Sequence, residues 1–178
     1  MKYFVISDIH GAAVNLKEVL KCFEQEKADK IIILGDILYH GARNPLPFGY
    51  DTMKTAEILN VHKELILGIK GNCDSEVDEL VLAFPLHKHF SFQLGEKTVF
   101  LTHGHQFNAD NLPNIKEGSV LLHGHTHIPV ITEKNGIIIA NPGSVGIPKE
   151  KSDSGYLLLE ENKITVKNLV GKVIAEKL

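Results

Sequence analysis

Five short apolar segments of this chain each end in a cluster of metal-binding residue types, and this repeated arrangement constrains the fold most. The first segment, Tyr3 to Ile6, has the β-branched and aromatic content of a buried strand and runs directly into Asp8 and His10. Alternate side chains of an extended segment share one face, which predicts that this carboxylate and this imidazole converge. The other clusters are Gly35-Asp36, Gly71-Asn72, His103-Gly104-His105 and Gly124-His125-Thr126-His127. Each alone is typical of a turn, whereas five at five strand ends predict one shared site.

Helical periodicity separates the first three of these segments. After Gly11, one apolar face is formed by Leu16, Val19, Leu20 and Phe23. A second helix is predicted from an N-cap at Asp51 to about Val61, with Met53, Ala56 and Leu59 facing inward. Strands that alternate with helices predict an α/β fold with a largely parallel sheet, in which ligands bind at the carboxyl ends of the strands.

The second half of the chain has a different pattern. Short strands flank the turn signals Gly95-Glu96, Lys134-Asn135 and Glu161-Asn162, which is typical of antiparallel hairpins. These strands predict a second sheet packed on the first, with helices outside. Because the chain has 178 residues and no composition break that marks a linker, we expect one domain spanning residues 1–178.

Composition excludes several function classes. Nineteen Lys and Arg against 22 Asp and Glu give a formal charge of −3, so there is no basic field to attract nucleic acid. No apolar run approaches the ~20 residues that a membrane helix needs. Cys22 and Cys73 offer no disulfide framework, and the chain starts on a strand without a secretory signal. We therefore expect a cytoplasmic protein, and apolar residues near the carboxyl terminus leave a homo-oligomer open.

The clusters together supply two carboxylates, one amide oxygen and at least four imidazoles. This mixture of oxygen and nitrogen donors suits Mn, Fe, Co, Zn or Ni better than Mg or Ca. Seven ligands exceed what one ion accepts, but they fit two ions roughly 3.5–4 Å apart that share a bridging group. Such a pair lowers the pKa of a bridging water and stabilises the oxygens of a tetrahedral centre, which predicts a phosphate ester as substrate.

The order of these motifs resembles the calcineurin-like metallophosphoesterase superfamily over nearly the whole chain. The spellings Gly-Asn-Cys-Asp, Leu-Thr-His-Gly-His, Gly-His-Thr-His and Asn-Pro-Gly-Ser-Val resemble its small bacterial phosphodiesterase branch, the YfcE type. The resemblance implies a four-layer α-β-β-α sandwich, with two mixed β-sheets flanked by helices, and a dinuclear site often served by manganese. By position, it implies one ion on Asp8, His10 and His127, a second on Asn72, His103 and His125, and Asp36 as the bridge.

Three further residues are candidates for contact with the substrate. Most of the superfamily has a His after the Asn, whereas this chain has Cys73, a weak donor without positive charge at neutral pH. This predicts a preference for good leaving groups; the alternative is that Cys73 only fills space. His105 matches no ligand position but lies close enough in sequence either to support a metal ligand or to contact the substrate. Arg43, in an irregular segment after Asp36, is expected to hold a phosphate oxygen or a second phosphate, or else to be an exposed residue without a partner.

Two functions follow from the resemblance. The first is a metal-dependent phosphodiesterase acting on a small phosphodiester, with cyclic nucleotides, nucleotide-sugar diesters and other phosphodiester metabolites all open. The second is a protein-binding scaffold, because the metallophosphoesterase-like subunit of retromer is similar in its Gly-His-Thr-His and Asn-Pro-Gly-Ser motifs. That subunit has an Asn where the bridging Asp belongs, whereas this chain keeps Asp36 and every other expected ligand. The sequence therefore favours the enzyme.

Overall fold

Two β-sheets packed face to face organise the chain, in a computed structural model that describes residues 1–178. The α-helices are α1 (Ala13–Glu26), α2 (Thr52–Val61) and α3 (Asp78–Val81), and a short 3₁₀ helix spans Lys63–Leu65. The strands are β1 (Tyr3–Ile6), β2 (Lys30–Ile33), β3 (Ile66–Ile69), β4 (Leu86–His87), β5 (His89–Leu94), β6 (Lys97–Thr102), β7 (Val120–Leu122), β8 (Val130–Lys134), β9 (Ile137–Asn141), β10 (Gly155–Glu160), β11 (Lys163–Asn168) and β12 (Val173–Lys177).

The larger sheet has seven strands in the order β12-β11-β10-β1-β2-β3-β4. Strands β1 to β4 pair in parallel, as the alternation of strands and helices predicts. Strand β10 pairs antiparallel with β1 and returns the chain to this sheet, whereas the sequence pattern assigned all second-half strands to a second sheet. The reason is burial: Tyr156 and Leu158 point to the helix side and Leu157 to the other sheet, so both faces of β10 are covered.

The smaller sheet has five strands in the order β5-β6-β7-β9-β8. The hairpins β5–β6 and β8–β9 are antiparallel, as predicted. The prediction was wrong for the centre of the sheet, where β6–β7 and β7–β9 are parallel. Residues 103–119 form the long crossover that parallel neighbours require. This pairing brings the carboxyl ends of β6 and β7 to the same edge of the sheet.

The larger core lies between the seven-stranded sheet and the helices, and a second core lies between the two sheets. Along β1, Val5 faces the smaller sheet while Phe4 and Ile6 face the helices, so successive side chains enter different cores. The predicted apolar face of α1 is buried. On α2, Met53 is 56% exposed beside a surface groove, which corrects its assignment to the inward face; Leu59 is buried.

A small third core covers the outer face of the smaller sheet. Leu121 and Ile139 pack there against Leu112 and Ile115, which lie within residues 103–119. That segment contains no helix, so the outermost layer on this side is irregular. The predicted α/β class with two mixed sheets is confirmed. None of the helices is long and apolar enough to cross a membrane.

Candidate metal centre

All five polar motifs of the sequence meet at one edge of the paired sheets. Each follows the carboxyl end of a strand, namely β1, β2, β3, β6 or β7. Within this region the donor atoms form three overlapping groups, in each of which the atoms lie within 4.8 Å of one another. The groups are Asp8 with His10 and His127, His10 with Asp36 and Cys73, and Asp36 with His103 and His125.

The backbone of the site is held in a left-handed conformation that residues other than glycine seldom adopt. Five of its residues have left-handed φ angles: Asp8 (53°), His10 (50°), Asp36 (54°), His125 (66°) and His127 (62°). Such conformations cost free energy and persist only where the surrounding structure enforces them. Asp8 and His10 therefore converge through left-handed backbone at both residues, beyond the end of β1. The expectation that an extended strand aligns them was wrong, although the two side chains do meet.

Three histidines are oriented by backbone carbonyl groups. In each, Nδ1 lies within hydrogen-bond distance of a carbonyl oxygen, which can only accept, so Nδ1 carries the proton. Each Nε2 then points to the centre of the site, where it presents a lone pair whenever the ring is neutral. The pairs are His10 with Tyr39 O at 2.7 Å, His103 with Leu34 O at 2.7 Å and His127 with Ile147 O at 2.6 Å.

These oriented nitrogens face other acceptors at short range. The Nε2 atoms of His10 and His127 are 3.3 Å apart, and Nε2 of His103 is 3.0 Å from Oδ1 of Asn72 and 3.2 Å from Nδ1 of His125. Two lone pairs at such distances repel unless a proton or a cation lies between them. The donor set therefore fits divalent cations. Burial alone would disfavour a charge on His103, but its contact with Asp36 and the nearby carboxylates raise its pKa to about 9.

Asp8 contains a buried oxygen without a hydrogen-bond partner. Its Oδ2 accepts from Ser7 Oγ at 2.6 Å and from the backbone N–H of His125 at 2.9 Å, whereas Oδ1 accepts no hydrogen bond. Oδ1 lies 3.3 Å from Nε2 of His127 and 3.7 Å from Nε2 of His10. An unpaired buried acceptor costs about 1–3 kcal/mol. A cation held among these three atoms would remove that cost.

Asp36 connects the two halves of the site. Its Oδ1 accepts from the backbone N–H of Cys73 at 2.8 Å, while Oδ2 lies 3.4 Å from Nε2 of His103 and 3.7 Å from Nε2 of His10. Burial acts to raise the pKa of this carboxyl, but the His103 and Cys73 contacts outweigh it and hold the pKa well below its usual range. A single ionised oxygen therefore faces both groups of imidazoles.

Residues outside the donor set hold these turns together. Asp74 accepts three backbone N–H bonds, from Asp36, Ile37 and Gly71, at 2.7–2.8 Å. Sequence reasoning missed this role, although the acid of the Gly-Asn-x-Asp motif was a signal for it. Gly71 is required because a Cβ there would collide with the Asp36 carboxylate. In the Asn-Pro-Gly-Ser turn, Ser144 Oγ donates to the carbonyl of Asp8 at 2.8 Å.

A cleft of about 680 Å³ opens in front of the donor set. Cys73 lines this cleft, and burial together with the Asp36 charge raises the pKa of its thiol to about 12, so the thiol is neutral at neutral pH. Arg43 also lines the cleft and is exposed. His105 is exposed and does not line the cleft, but its ring lies 5.5 Å from that of His103 and 6.2 Å from that of His125. His123 is buried and bonds Gly124 O, away from the donor groups.

The two mixed sheets and the carboxylate, amide and imidazole donors at their shared edge define a metallophosphoesterase. The calcineurin-like phosphoesterase superfamily domain matches residues 1–163. The chain belongs to this superfamily, as its motifs predict.

Two comparisons also confirm the resemblance to the bacterial YfcE type. The chain is 44% identical to the phosphodiesterase YfcE of Escherichia coli K12 over 167 residues, which cover 93% of this chain and 91% of that protein. A solved structure of YfcE, a phosphoesterase from E. coli, superposes with a TM-score of 0.96 at 42% identity, covering 99% of this chain and 98% of that chain.

A third match concerns the scaffold alternative. The structure of vacuolar protein sorting 29 from Cryptosporidium parvum has a TM-score of 0.63 and 21% identity, covering 99% of this chain and 96% of that chain. At this identity the match shows a shared fold alone.

Proposed function

We propose that this chain is a metal-dependent phosphodiesterase that hydrolyses small phosphate diesters with two bound divalent cations. The observation that carries the proposal is the buried donor set, in which the Nε2 atoms of His10 and His127 lie 3.3 Å apart and Oδ1 of Asp8, which has no hydrogen-bond partner, lies 3.3 Å from Nε2 of His127. The 44% identity to a protein named as a phosphodiesterase supports the reaction class.

The overlapping donor groups support the ligand assignment that the resemblance implies. We assign one cation to Asp8, His10 and His127, the other to Asn72, His103 and His125, and the bridging position to Asp36. Manganese is the preferred ion in this proposal, and Fe, Co, Zn or Ni fit the same donors. When bound, such a pair of cations lowers the pKa of water and offsets the negative charge at phosphorus.

The remaining residues bind and orient the substrate in this proposal. Cys73 lies beside the donor set on the cleft wall, where its thiol offers the leaving group only a weak hydrogen bond. We therefore expect esters with good leaving groups to react fastest, with space filling as the alternative role for Cys73. Arg43 binds a phosphate group, and His105, beside His103 and His125, donates a hydrogen bond to the substrate.

The test is hydrolysis of bis(p-nitrophenyl) phosphate by chelator-treated protein, alone and with added Mn²⁺, Fe²⁺, Co²⁺, Zn²⁺ or Ni²⁺. We expect Mn²⁺ to restore nitrophenol release. Asp36→Asn is expected to lower kcat by about 100-fold or more because the bridging charge is lost. Asp110→Asn, on an exposed carboxylate away from the cleft, is the matched control. No hydrolysis with any of the five metals would contradict the proposal and favour the protein-binding scaffold of the retromer-subunit type.

Three other expectations stay predictions alongside this function. They are a single domain over residues 1–178, a cytoplasmic location and an oligomeric state that leaves a homo-oligomer open. The two thiols support a reducing compartment, since Cys22 and Cys73 are both free in the structure.

A further inference from the structure

Two cationic side chains line the cleft without a partner. Arg43 and Lys149 are both exposed, and neither side chain forms a hydrogen bond or an ion pair within the chain. The one acidic residue that lines the cleft is Asp36, whose carboxylate belongs to the donor set. Beyond the donor set, the walls of the cleft therefore carry positive charge that no protein group compensates.

The segment that carries Arg43 is fixed to the donor set. Tyr39 O accepts from Nδ1 of His10 at 2.7 Å, and the following turn is closed by two bonds from Asn44, one to Gly41 O at 3.0 Å and one to His40 O at 2.9 Å. Arg43 follows Tyr39 by four positions, so its place is linked to that of His10, a proposed metal ligand.

The segment that carries Lys149 is fixed in the same way, to a different proposed metal ligand. Ile147 O accepts from Nδ1 of His127 at 2.6 Å, and the backbone N–H of Lys149 donates to His127 O at 3.3 Å. The Nε2 atoms of His10 and His127 are only 3.3 Å apart. Both cationic segments therefore flank the same half of the donor set, the half that contains Asp8.

We propose that Arg43 and Lys149 form an anion subsite that binds a second phosphate group, carried on one arm of the diester substrate. This inference rests on the proposed phosphodiesterase function. In that function the bound cations offset the charge of the phosphate being hydrolysed, which leaves the wall cations for another anionic group. A terminal phosphate carries about −1.5 to −2 at pH 7, which two cations match. The guanidinium binds two of its oxygens side by side, and the ammonium acts as a point charge.

The substrate class is therefore a phosphodiester with an additional phosphate monoester, of the size of a nucleotide. A cleft of about 680 Å³ has room for such a molecule. An uncharged arm would occupy the same space without pairing either cation.

The test compares two substrates that differ only in the second phosphate. They are the p-nitrophenyl ester of thymidine 5′-phosphate and the same ester with a 3′-phosphate. For the manganese-loaded full chain, we expect kcat/KM to be about tenfold higher for the 3′-phosphorylated ester at low ionic strength, mainly through KM. The preference should fall in 0.5 M salt. The Debye length is then only about 4 Å, so the attraction between the second phosphate and the two cations is screened.

Lys149→Ala and Arg43→Ala should each reduce this substrate preference to near unity. Lys151→Ala, which removes an exposed cation two residues beyond Lys149 that does not line the cleft, should retain it. Equal kcat/KM for the two esters in the unsubstituted protein, or the same preference in the Lys149 and Lys151 variants, would overturn the subsite while leaving the phosphodiesterase intact.

A binding measurement separates failure of the subsite from failure of the reaction. Thymidine 3′,5′-bisphosphate is titrated calorimetrically into the manganese-loaded chain and into its Lys149→Ala variant. We expect binding to weaken about tenfold in the variant. If neither ester is hydrolysed, the proposed function fails, and unequal binding still supports the subsite. Equal binding overturns it.

Discussion

The carboxylate of Asp74 accepts a hydrogen bond from the backbone N–H of Asp36 at 2.8 Å, so a residue that follows β3 fixes the turn that follows β2. The same carboxylate accepts from Ile37 and Gly71 at 2.8 and 2.7 Å. Asp74 is only 7% exposed, which means that water cannot replace these bonds. Asp74 is therefore a positioning residue for the oxygen that joins the two halves of the metal centre.

Asp74→Asn should lower both stability and metal affinity. The amide N–H₂ would face backbone N–H groups, so at least one donor loses its acceptor in a buried place. We expect a loss of about 2–4 kcal/mol in the free energy of unfolding and about tenfold weaker Mn²⁺ binding. Urea unfolding and titration calorimetry measure the two effects.

Asp78→Asn is the control for the Asp74 variant. At the start of α3, Asp78 accepts from the backbone N–H of Ser75 at 2.8 Å, an exposed hydrogen bond that is worth about 1 kcal/mol. If both variants lose equal stability and neither loses Mn²⁺ affinity, Asp74 does not position the site.

Manganese should raise the melting temperature of the chain. The buried Oδ1 of Asp8 has no partner, and the opposed nitrogens of His10 and His127 repel in the metal-free protein. At 100 times Kd, one bound ion adds about 2.7 kcal/mol, which is roughly 5–10 °C for a chain of this size. Differential scanning calorimetry with and without Mn²⁺ measures the shift, and Asp8→Asn should reduce it. An unchanged melting temperature would show that the donor set binds no manganese.

The sequence was sufficient to predict which motifs meet. Each motif follows an apolar segment, and the residues of that segment alone identify it as a buried strand. The sequence was insufficient for the way in which the motifs meet. The left-handed turns at Asp8 and His10 depend on backbone bonds to the neighbouring strand loop, such as Asp8 N to Gly35 O at 3.0 Å. The acceptors that orient the histidines are backbone carbonyls, as at Tyr39 and Ile147, and any residue type supplies them.

The parallel pairing of β6 with β7 was also beyond the reach of the sequence pattern. Strand periodicity does not report direction, and residues 103–119 lack the helical pattern that usually marks a crossover. The sequence around Lys149 did not indicate that this residue lines the cleft. Its place on the cleft wall results from two hydrogen bonds between its segment and His127.

Cys73→His should raise turnover of esters with poor leaving groups. An imidazole N–H is a stronger donor than a thiol and can transfer its proton, and position 73 lies beside Asp36 and His10 on the cleft wall. We expect kcat to increase by about tenfold or more for a phenyl ester and by a smaller factor for a p-nitrophenyl ester. Steady-state kinetics at equal metal content measure this, with Cys73→Ser as the size-matched control. Unchanged or lower rates would exclude a proton-donor role for this position.

A carboxylate far from the metal centre should make stability depend on pH. Glu26, at the end of α1, accepts from Lys167 Nζ at 2.7 Å and from Tyr156 Oη at 2.9 Å, and its side chain is 17% exposed. Burial acts to raise the pKa of Glu26, but the bonds from Lys167 and Tyr156 outweigh it and lower the pKa below its ordinary 4.5. A group with a lowered folded-state pKa stabilises the fold above the unfolded value, and that contribution is lost as the pH falls through the folded value.

Glu26→Gln should therefore cost about 1–2 kcal/mol in the free energy of unfolding at pH 7, and the difference from the unsubstituted chain should shrink progressively below pH 4.5. Urea unfolding at pH 7, 5, 4 and 3 measures it. Glu18→Gln removes an exposed carboxylate that pairs with Lys21 on the same helix, where we expect less than about 0.5 kcal/mol at every pH. A Glu26→Gln difference that stays constant from pH 7 to pH 3 would mean that the side chain acts through packing, since a packing contribution does not change when the carboxylate is protonated.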